Sequence, residues 1–430
     1  MAKGVNAIQI YDMLLESQGW PRNQMQAFQR SQLEQLLRHA KANVPFYKSR
    51  LDCVFAADDS IDWTRWDEIP VVTRADLRDR HHEMQALTLP PGHGPTKSYF
   101  SSGSSGVPIE YTTNHVANVF RGAAWRRFYA LHGIGDDVRF AHFGLHYPDK
   151  TELTESAAWT QKPTPTGDAS ILLINRTLSP EMKLDVMAEH AIEVVYDFAT
   201  SLVQLAMCNL ERGTPVRLKA VVSFGMGLEP HEVETLRQSF GGRVLSAYSS
   251  KEAGLIAFSC PETENFHICD ESVLVEPVPL LTPRQDRSGI LVTPFFHTAQ
   301  PLIRYDQGDV VSFGENCACG SCLGVLQNIH GRADTHFLFN GTKVPIVGVD
   351  DKFLISHLKA KALQIAQTGP LQLEVRYIAN TTASETERRL VSKDICRSFG
   401  LPLKVSCRRL QQLPVNAGGK QNRYVREWNG

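Results

Sequence analysis

Long apolar runs are absent from this sequence. No stretch approaches the roughly 18 consecutive apolar residues that a membrane-spanning helix needs. Acidic and polar residues interrupt the N-terminal segment, so it contains no apolar run long enough for a signal peptide. We therefore expect a cytoplasmic protein that does not enter a membrane.

A strong charge of one sign is also absent. The formal net charge of the 430 residues is -1, which provides no broad basic field for holding nucleic acid or an anionic membrane. A disulfide framework is excluded as well, because nine cysteines are few for this length and odd in number. In a reducing compartment, clustered cysteines indicate metal ligands first.

The middle of the chain alternates short apolar runs with helical patterns. Residues 218–224 and 243–249 are typical of buried strands, and residues 231–240 between them are typical of a helix. This alternation predicts an α/β fold. Nearer the N-terminus, apolar residues at helical spacing predict a packing helix, which Pro45 ends. These residues are Leu33, Leu36, Leu37 and Ala40.

The last hundred residues follow a different pattern. Residues 371–378 and 403–410 alternate apolar and polar side chains, which is typical of strands with one solvated face, and a polar helical segment lies between them. We predict a small α+β unit here, and the length of the chain also favours more than one domain. The predicted domains are residues 1–332 and residues 333–430.

Five short segments carry residues suited to nucleotide chemistry. The first, residues 101–108, follows a short apolar turn, and its serines and glycines could surround phosphate oxygens with hydroxyl and backbone N–H donors. It matches neither of the two commonest nucleotide motifs, and alone it also fits a flexible loop. In the second segment, Tyr248 could stack on a base and Glu252 could hold a divalent cation, although a polar strand end has the same composition.

The other three segments lie in the C-terminal third. Asp309 follows a glycine turn and could accept hydrogen bonds from a ribose diol, although an acidic β-turn would look the same. Residues 331–334 form a Gly-Arg-Ala-Asp segment at the predicted domain boundary. Lys420 follows two glycines, and a lysine on such a turn can be presented to phosphate or carboxylate as a point charge.

In their order and spacing, the five segments resemble the adenylate-forming superfamily of acyl-CoA synthetases. The similarity is greatest to its compact branch of phenylacetate–CoA ligase-like and capsule-biosynthesis-type proteins, and it includes residues 36–51. The resemblance implies a large α/β N-terminal domain and a small, mobile α+β C-terminal domain. It implies a ligase that uses ATP and Mg²⁺ to convert a small carboxylic acid into its acyl-adenylate, and then transfers the acyl group to CoA. Transfer to an amine, or a non-catalytic nucleotide-binding homologue, remains an alternative.

The resemblance also implies a role for individual residues. Lys420 would act in adenylation, Glu252 would bind Mg²⁺, Asp309 and Arg332 would approach the ribose, and Asp334 would lie at a hinge. The remaining nucleotide-binding residues are those of the phosphate loop, Ser101, Ser102, Gly103, Ser104, Ser105 and Gly106, and those near adenine, Gly225, Met226, Tyr248 and Ser249. The acyl pocket is not readable, although His142, Phe143, His146 and Tyr147 lie near the position of an aromatic residue that contacts the substrate in this superfamily.

Three positions depart from the superfamily pattern. Val107 replaces a basic residue, Lys251 replaces a hydroxyl residue, and Met226 replaces a glutamate. These departures leave an inactive homologue open, whereas the retention of Glu252 and Lys420 favours activity.

A group of cysteines and one histidine predicts a metal site. Four sulfur and nitrogen donors from two loops suit tetrahedral Zn²⁺, and a site without an open position is structural. The resemblance selects Cys260, His267, Cys317 and Cys319, with Cys322 as the alternative fourth ligand. Free cysteines in loops are the other interpretation. We expect no nucleic-acid or membrane partner, and a monomer or homodimer.

Overall fold

The computed structural model divides the chain into two compact units. The first comprises Met1–Pro279, Ser288–Gln307 and Val311–Ile329, and the second comprises Leu280–Arg287, Gly308–Val310 and His330–Gly430. The residues described are 6–101, 109–144, 155–164, 167–225, 227–228, 230–280, 287–332, 336–340, 342–346, 349, 351–414 and 423–428. None of the helices in these ranges combines the length and the apolar character needed to cross a membrane.

The helices and strands follow the chain in an alternating order. The helices are α1 (Ala7–Ser17), α2 (Arg22–Asn43), α3 (Arg74–Asp79), α4 (His115–Leu131), α5 (Pro180–Glu189), α6 (Ala199–Leu210), α7 (Pro230–Phe240), α8 (Asp351–Leu358) and α9 (Glu385–Phe399), with 3₁₀ turns at Pro45–Tyr47 and Trp63–Glu68. The first strands are β1 (Thr96–Ser101), β2 (Ile109–Asn114), β3 (Phe140–Gly144), β4 (Ala157–Thr164), β5 (Gly167–Asn175), β6 (Val194–Phe198), β7 (Ala220–Phe224), β8 (Arg243–Ser250), β9 (Gly254–Ser259) and β10 (Phe266–Ile268). The remaining strands are β11 (Val273–Pro279), β12 (Ser288–Pro294), β13 (Tyr305–Gly314), β14 (Val325–Arg332), β15 (His336–Phe339), β16 (Thr342–Pro345), β17 (Ala362–Gly369), β18 (Gln372–Ile378), β19 (Lys404–Arg409) and β20 (Tyr424–Arg426).

Twelve strands form a large mixed sheet in the order β11-β12-β13-β14-β10-β9-β8-β7-β6-β3-β5-β4. Its central strands β8, β7, β6, β3 and β5 are parallel, and the apolar runs predicted as buried strands occur here as β7 and β8. Helices α5, α6 and α7 pack on one face, while α1, α2 and α4 contribute to the core on the other. Parallel strands are covered on both faces, which explains why the side chains of β7 are apolar in almost every position.

Helix α2 confirms the predicted packing helix. All four residues of its apolar stripe are buried, and the helix ends at Asn43, two residues before Pro45. Proline lacks the N–H needed to continue the helix, so the chain turns into a short 3₁₀ segment. One local expectation was wrong, because the apolar residues before the serine-rich segment form part of β1 and not a turn. They pair with β2 in an antiparallel hairpin.

A buried ion pair joins α4 to the segment between β10 and β11. The Arg127 Nη1 and Glu271 Oε1 atoms are 2.5 Å apart, and neither side chain is exposed. Arg127 also donates to the carbonyl oxygen of Leu14 at 3.0 Å, and the Ser17 hydroxyl donates to Glu271. Removing one member of such a pair leaves an uncompensated buried charge. The network therefore fixes the end of α1 relative to α4.

The second unit has its own core. Strands β19, β18, β17 and β20 form a sheet in that order, and α8 and α9 contribute to the apolar cluster beside it. Ser384 and Glu387 make a reciprocal capping box at the start of α9. The α+β character agrees with the prediction, but the expected solvated face of β18 is partly covered. Arg376 there is only 9% exposed and forms ion pairs with Glu374 and Glu427.

Candidate active site and metal centre

The carboxyl ends of β3, β6, β7 and β8 meet at one edge of the large sheet, because these strands are parallel neighbours. In open α/β sheets, ligands bind outside this edge. The chain leaves β7 at Gly225, whose φ of +72° is strained for any other residue. A Cβ atom at this position would also lie 3.0 Å from the Phe198 ring. Glycine is therefore required where the sequence places the adenine-lining segment.

Aromatic side chains form a row along this edge. The His142 ring stacks on Tyr196 with centroids 4.4 Å apart and planes 7° apart, and Phe224 lies 5.8 Å from Tyr196. The Phe198 and Phe224 centroids are 5.0 Å apart. All four rings are partly buried. We call His142, Tyr196, Phe198 and Phe224 the aromatic row, and a flat apolar group could pack on it.

Two of the residues flagged from sequence behave differently in the structure. His142 belongs to the aromatic row, whereas Phe143 points to the opposite face and is fully buried in the core with α5 and α6. This difference follows from the alternation of side chains along β3. His146 and Tyr147 lie outside the described residues. Tyr196 and Phe198 were missed, because the strand that carries them, β6, was not predicted from the sequence.

A buried charged group lies behind the aromatic row. Arg176 donates to the carbonyl oxygen of Phe143 at 2.5 Å and to the Asp197 carboxylate at 3.0 Å, and its guanidinium carbon lies 4.9 Å from the Phe198 ring centroid. Burial raises the pKa of Asp197 to about 6, against the opposing effect of Arg176. Burial also lowers the pKa of the Lys183 ammonium. Arg176 thus links the end of β3, through Phe143, to the end of β6, through Asp197. No sequence pattern predicted this role.

The end of β8 carries the predicted nucleotide residues Tyr248, Ser249 and Glu252. A register shift between Tyr248 and Ser249 interrupts the pairing with β9, and both Tyr248 and Glu252 are buried. The turn that follows is held by the Ala253 amide, which donates to the Ser250 hydroxyl at 3.0 Å. Lys251 is exposed.

The phosphate loop is flanked by the two strands of the β1–β2 hairpin, in which Ser101 pairs with Ile109. The predicted loop residues after Ser101 lie outside the described residues. The same is true of Met226, Asp334 and Lys420. Their roles remain predictions.

Asp309 lies within β13, not in the acidic turn that its sequence also allowed. The preceding Gly308 has a φ of +71°, so the strand is irregular immediately before the carboxylate. Asp309 itself is buried. Arg332 is the last residue of β14.

The four predicted metal ligands lie together in the first unit. Their donor atoms, on Cys260, His267, Cys317 and Cys319, are all within 4.8 Å of one another. The Cys260 and Cys317 sulfurs are 3.7 Å apart, and the Cys319 sulfur is 3.2 Å from His267 Nε2. Tetrahedral Zn²⁺ with Zn–S bonds of about 2.3 Å places its sulfur ligands about 3.8 Å apart. The donor set and its spacing therefore fit zinc.

The surroundings of two ligands favour metal-binding protonation states, whereas burial raises the pKa of the Cys319 thiol to about 12. Burial raises the pKa of the Cys317 thiol, but hydrogen bonds from Thr263 and other neighbours lower it more, to about 7. Burial and the charge of Arg127 lower the pKa of His267, which favours the neutral imidazole. Cys322 is directed elsewhere, with its sulfur 3.2 Å from the Ser17 carbonyl oxygen. Geometry thus favours Cys319 over Cys322 as the fourth ligand.

The fold defines a class of protein. A crystal structure of 2-hydroxyisobutyryl-CoA ligase in the postadenylation state is similar over 96% of this chain and 91% of that one, with a TM-score of 0.69 at 16% identity. An anthranilate CoA ligase in complex with anthranoyl-AMP matches with a TM-score of 0.52 and 16% identity, over 75% of this chain and 64% of that one. The chain therefore has the fold of these CoA ligases, and the predicted fold class is confirmed.

The amino-acid sequence is also similar to that of a phenylacetate-coenzyme A ligase. The phenylacetate-coenzyme A ligase of Escherichia coli strain K12 is 24% identical over 351 residues, which cover 75% of this chain and 74% of that enzyme. No family model matches the chain. The predicted resemblance to the phenylacetate–CoA ligase-like branch is confirmed by this relative.

Proposed function

We propose that this protein is an ATP-dependent ligase that activates a small carboxylic acid and transfers the acyl group to CoA. One observation carries the proposal. Gly225 follows β7, and Tyr248 and Glu252 lie at the end of the adjacent parallel strand β8, in a fold shared with CoA ligases. The similarity to phenylacetate-coenzyme A ligase supports CoA as the acceptor.

The proposed reaction has two steps. A carboxylate oxygen of the acid attacks the α-phosphorus of ATP, the bond to the β-phosphate oxygen breaks, and pyrophosphate leaves. The CoA thiolate then attacks the acyl carbonyl carbon, and AMP leaves with the electron pair of the broken C–O bond. The products are the thioester, AMP and pyrophosphate.

The chain supplies charge and position for the first step. A carboxylate and a triphosphate repel each other, so the approach needs positive charge that strengthens in the transition state. Glu252 would hold Mg²⁺, which neutralises phosphate charge when bound. Lys420 would bridge the acid and the α-phosphate, and Asp309 and Arg332 would bind the ribose.

The aromatic row is the proposed acyl site. It lies beside Gly225, at the junction between the expected adenine segment and the open edge of the sheet. Its rings present apolar faces, while the polar atom His142 Nδ1 lies 3.0 Å from the Tyr196 carbonyl oxygen. An acid with a flat, apolar body would lose water-exposed surface there without leaving a buried charge unpaired.

We further propose that Cys260, His267, Cys317 and Cys319 hold a structural zinc ion. Four protein ligands leave no position for a reacting water, so the ion would stabilise the loops that carry them. It would take no part in the adenylation chemistry.

The decisive experiment is acid-dependent exchange of pyrophosphate into ATP. A panel of aromatic and aliphatic acids is screened with purified protein and Mg²⁺, and the active acid is then offered CoA and, separately, amines. Thioester detected by mass spectrometry is the expected result. An adenylate that forms but consumes only an amine would replace CoA with an amine acceptor, and no exchange with any acid would favour the non-catalytic alternative.

A further inference from the structure

Helix α4 carries an arginine that the proposed mechanism has not used. α4 begins immediately after β2 of the phosphate-loop hairpin, so Arg121 lies close to the stem of that hairpin. Its guanidinium carbon is 5.7 Å from the centroid of the Tyr99 ring on β1. Its Nη2 atom donates to Asn118 Oδ1 at 2.6 Å. Among the residues that the structure describes, no carboxylate forms an ion pair with it.

Arg121 also lies close to the segment that carries the proposed magnesium ligand. The Cδ atom of Arg121 is 3.7 Å from the position that a Cβ atom would occupy at Gly254, two residues after Glu252. Arg121, Ala253 and Gly254 line the same small cavity, which has room for about one water molecule. The Arg121 guanidinium therefore lies beside the short segment that follows Glu252 in the sequence.

A neighbouring tyrosine lies close enough to both side chains to respond to their charges. Burial raises the pKa of Tyr111 to about 12, while the charge of Arg121 lowers it and the charge of Glu252 raises it. Both charges thus act on the same hydroxyl. His297, which lines the same cavity, is neutral because burial, with the charge of Arg121, lowers its pKa to about 3.

A second cation lies near the same ring. Lys97 Nζ is 5.2 Å from the Tyr99 centroid, and Tyr99 stacks on Tyr111 with centroids 5.5 Å apart. Lys97 and Tyr99 share one face of β1, because side chains alternate along a strand. Two cations, Lys97 and Arg121, therefore lie near the Tyr99 ring in the stem of the hairpin.

We propose that Arg121 binds the β- and γ-phosphates of ATP and the departing pyrophosphate, replacing the basic residue that the phosphate loop lacks at Val107. This assignment rests on the proposed adenylation function. An arginine fork can donate two parallel hydrogen bonds to phosphate oxygens, and Glu252, two residues before Gly254, can hold the accompanying Mg²⁺. Lys251, next to Glu252 in the sequence, is the competing cation, and its side chain is exposed.

The test measures binding of MgATP, magnesium pyrophosphate and AMP to the full-length protein by titration calorimetry. Arg121→Gln is expected to weaken MgATP and pyrophosphate binding by about 10- to 100-fold, the range for loss of a charged hydrogen-bonding group. AMP lacks the β- and γ-phosphates, so its affinity should not change. Arg121→Lys should restore part of the loss, because it keeps the charge without the planar fork.

Two control variants make the result specific. Arg126→Gln removes a charge from the same helix, but Arg126 pairs with Asp136 at 2.6 Å, so this variant should bind all three ligands normally. Lys251→Gln tests the competing cation. Thermal unfolding verifies that each variant is folded. If Arg121→Gln does not fold, the binding measurements are made with Arg121→Lys instead.

Each contrary outcome has a distinct meaning. Equal pyrophosphate affinity in wild type and Arg121→Gln overturns the assignment to Arg121, as does loss confined to Lys251→Gln. A parallel loss of AMP affinity would show a merely structural role and would also overturn it. If the wild type binds neither MgATP nor pyrophosphate, the proposed adenylation function fails together with this inference.

Discussion

Lys420 is the residue on which the proposed chemistry depends most directly. We predict that Lys420→Ala lowers acid-dependent pyrophosphate exchange by about 100-fold, or about 3 kcal/mol of barrier, because a charge aimed at the transition state is lost. Acyl transfer from separately supplied acyl-AMP should be affected less. Lys404→Ala, which changes an exposed lysine of β19, is the matched control. Exchange at the wild-type rate in Lys420→Ala would remove this residue from the mechanism.

Asp197 is a buried carboxylate whose ionisation opposes folding. Its pKa is raised from 3.8 to about 6, so the folded state binds a proton more tightly than the unfolded chain does. Protonated Asp197 therefore stabilises the folded state. This contribution to the free energy of unfolding is fully present below pH 3.8 and is lost as the pH rises through about 6.

The Asp197→Asn variant tests this linkage because it cannot titrate. The free energy of unfolding of the wild type, relative to that of the variant, should fall by about 2 kcal/mol between pH 4 and pH 7. Urea unfolding at a series of pH values measures the difference. A difference that is constant, or that rises with pH, would contradict the raised pKa.

At the scale of elements, strands β6 and β7 carry three of the four rings of the aromatic row, Tyr196, Phe198 and Phe224. We predict that Phe224→Ala raises the KM for the carboxylic acid by about 10-fold, since it removes apolar contact worth about 1–3 kcal/mol. The KM for ATP should change little. Kinetics with each substrate varied in turn measure this split, and Phe295→Ala offers a control, because Phe295 is a buried phenylalanine outside the row. Equal effects on both KM values would argue against an acyl site here.

At the scale of the whole molecule, the Cys/His cluster connects segments distant in sequence. Purified wild-type protein should contain about one zinc ion per chain, as a four-ligand structural site requires. Cys317→Ser should lose the ion and lower Tm by about 10 °C, because metal binding contributes to folding. Elemental analysis and thermal unfolding measure both effects.

Two further cysteine variants identify the ligands. Cys319→Ser should also lose the ion, whereas Cys322→Ser should retain it, since Cys322 is directed at the Ser17 carbonyl oxygen. Metal-free wild-type protein, purified under reducing conditions, would reject the site.

The sequence by itself determined the class of fold, because periodicity is a local property of the chain. The sequence predicted β7, α7 and β8 from alternating apolar runs and helical patterns. The two strands were recognised because a parallel strand buried on both faces needs continuous apolar residues. The family resemblance selected Cys260, His267, Cys317 and Cys319, and the structure brings their donor atoms within 4.8 Å of one another.

Only the tertiary structure decided which residues share a site. Tyr196 and Phe198 joined His142 because parallel pairing aligns the ends of β6 and β3, a register that no single strand specifies. The position of Arg121 near Glu252 likewise depends on how α4 packs on β9, far from it in sequence. The direction of Phe143 into the core and the partial burial of Arg376 were decided in the same way, because burial depends on what neighbouring elements cover.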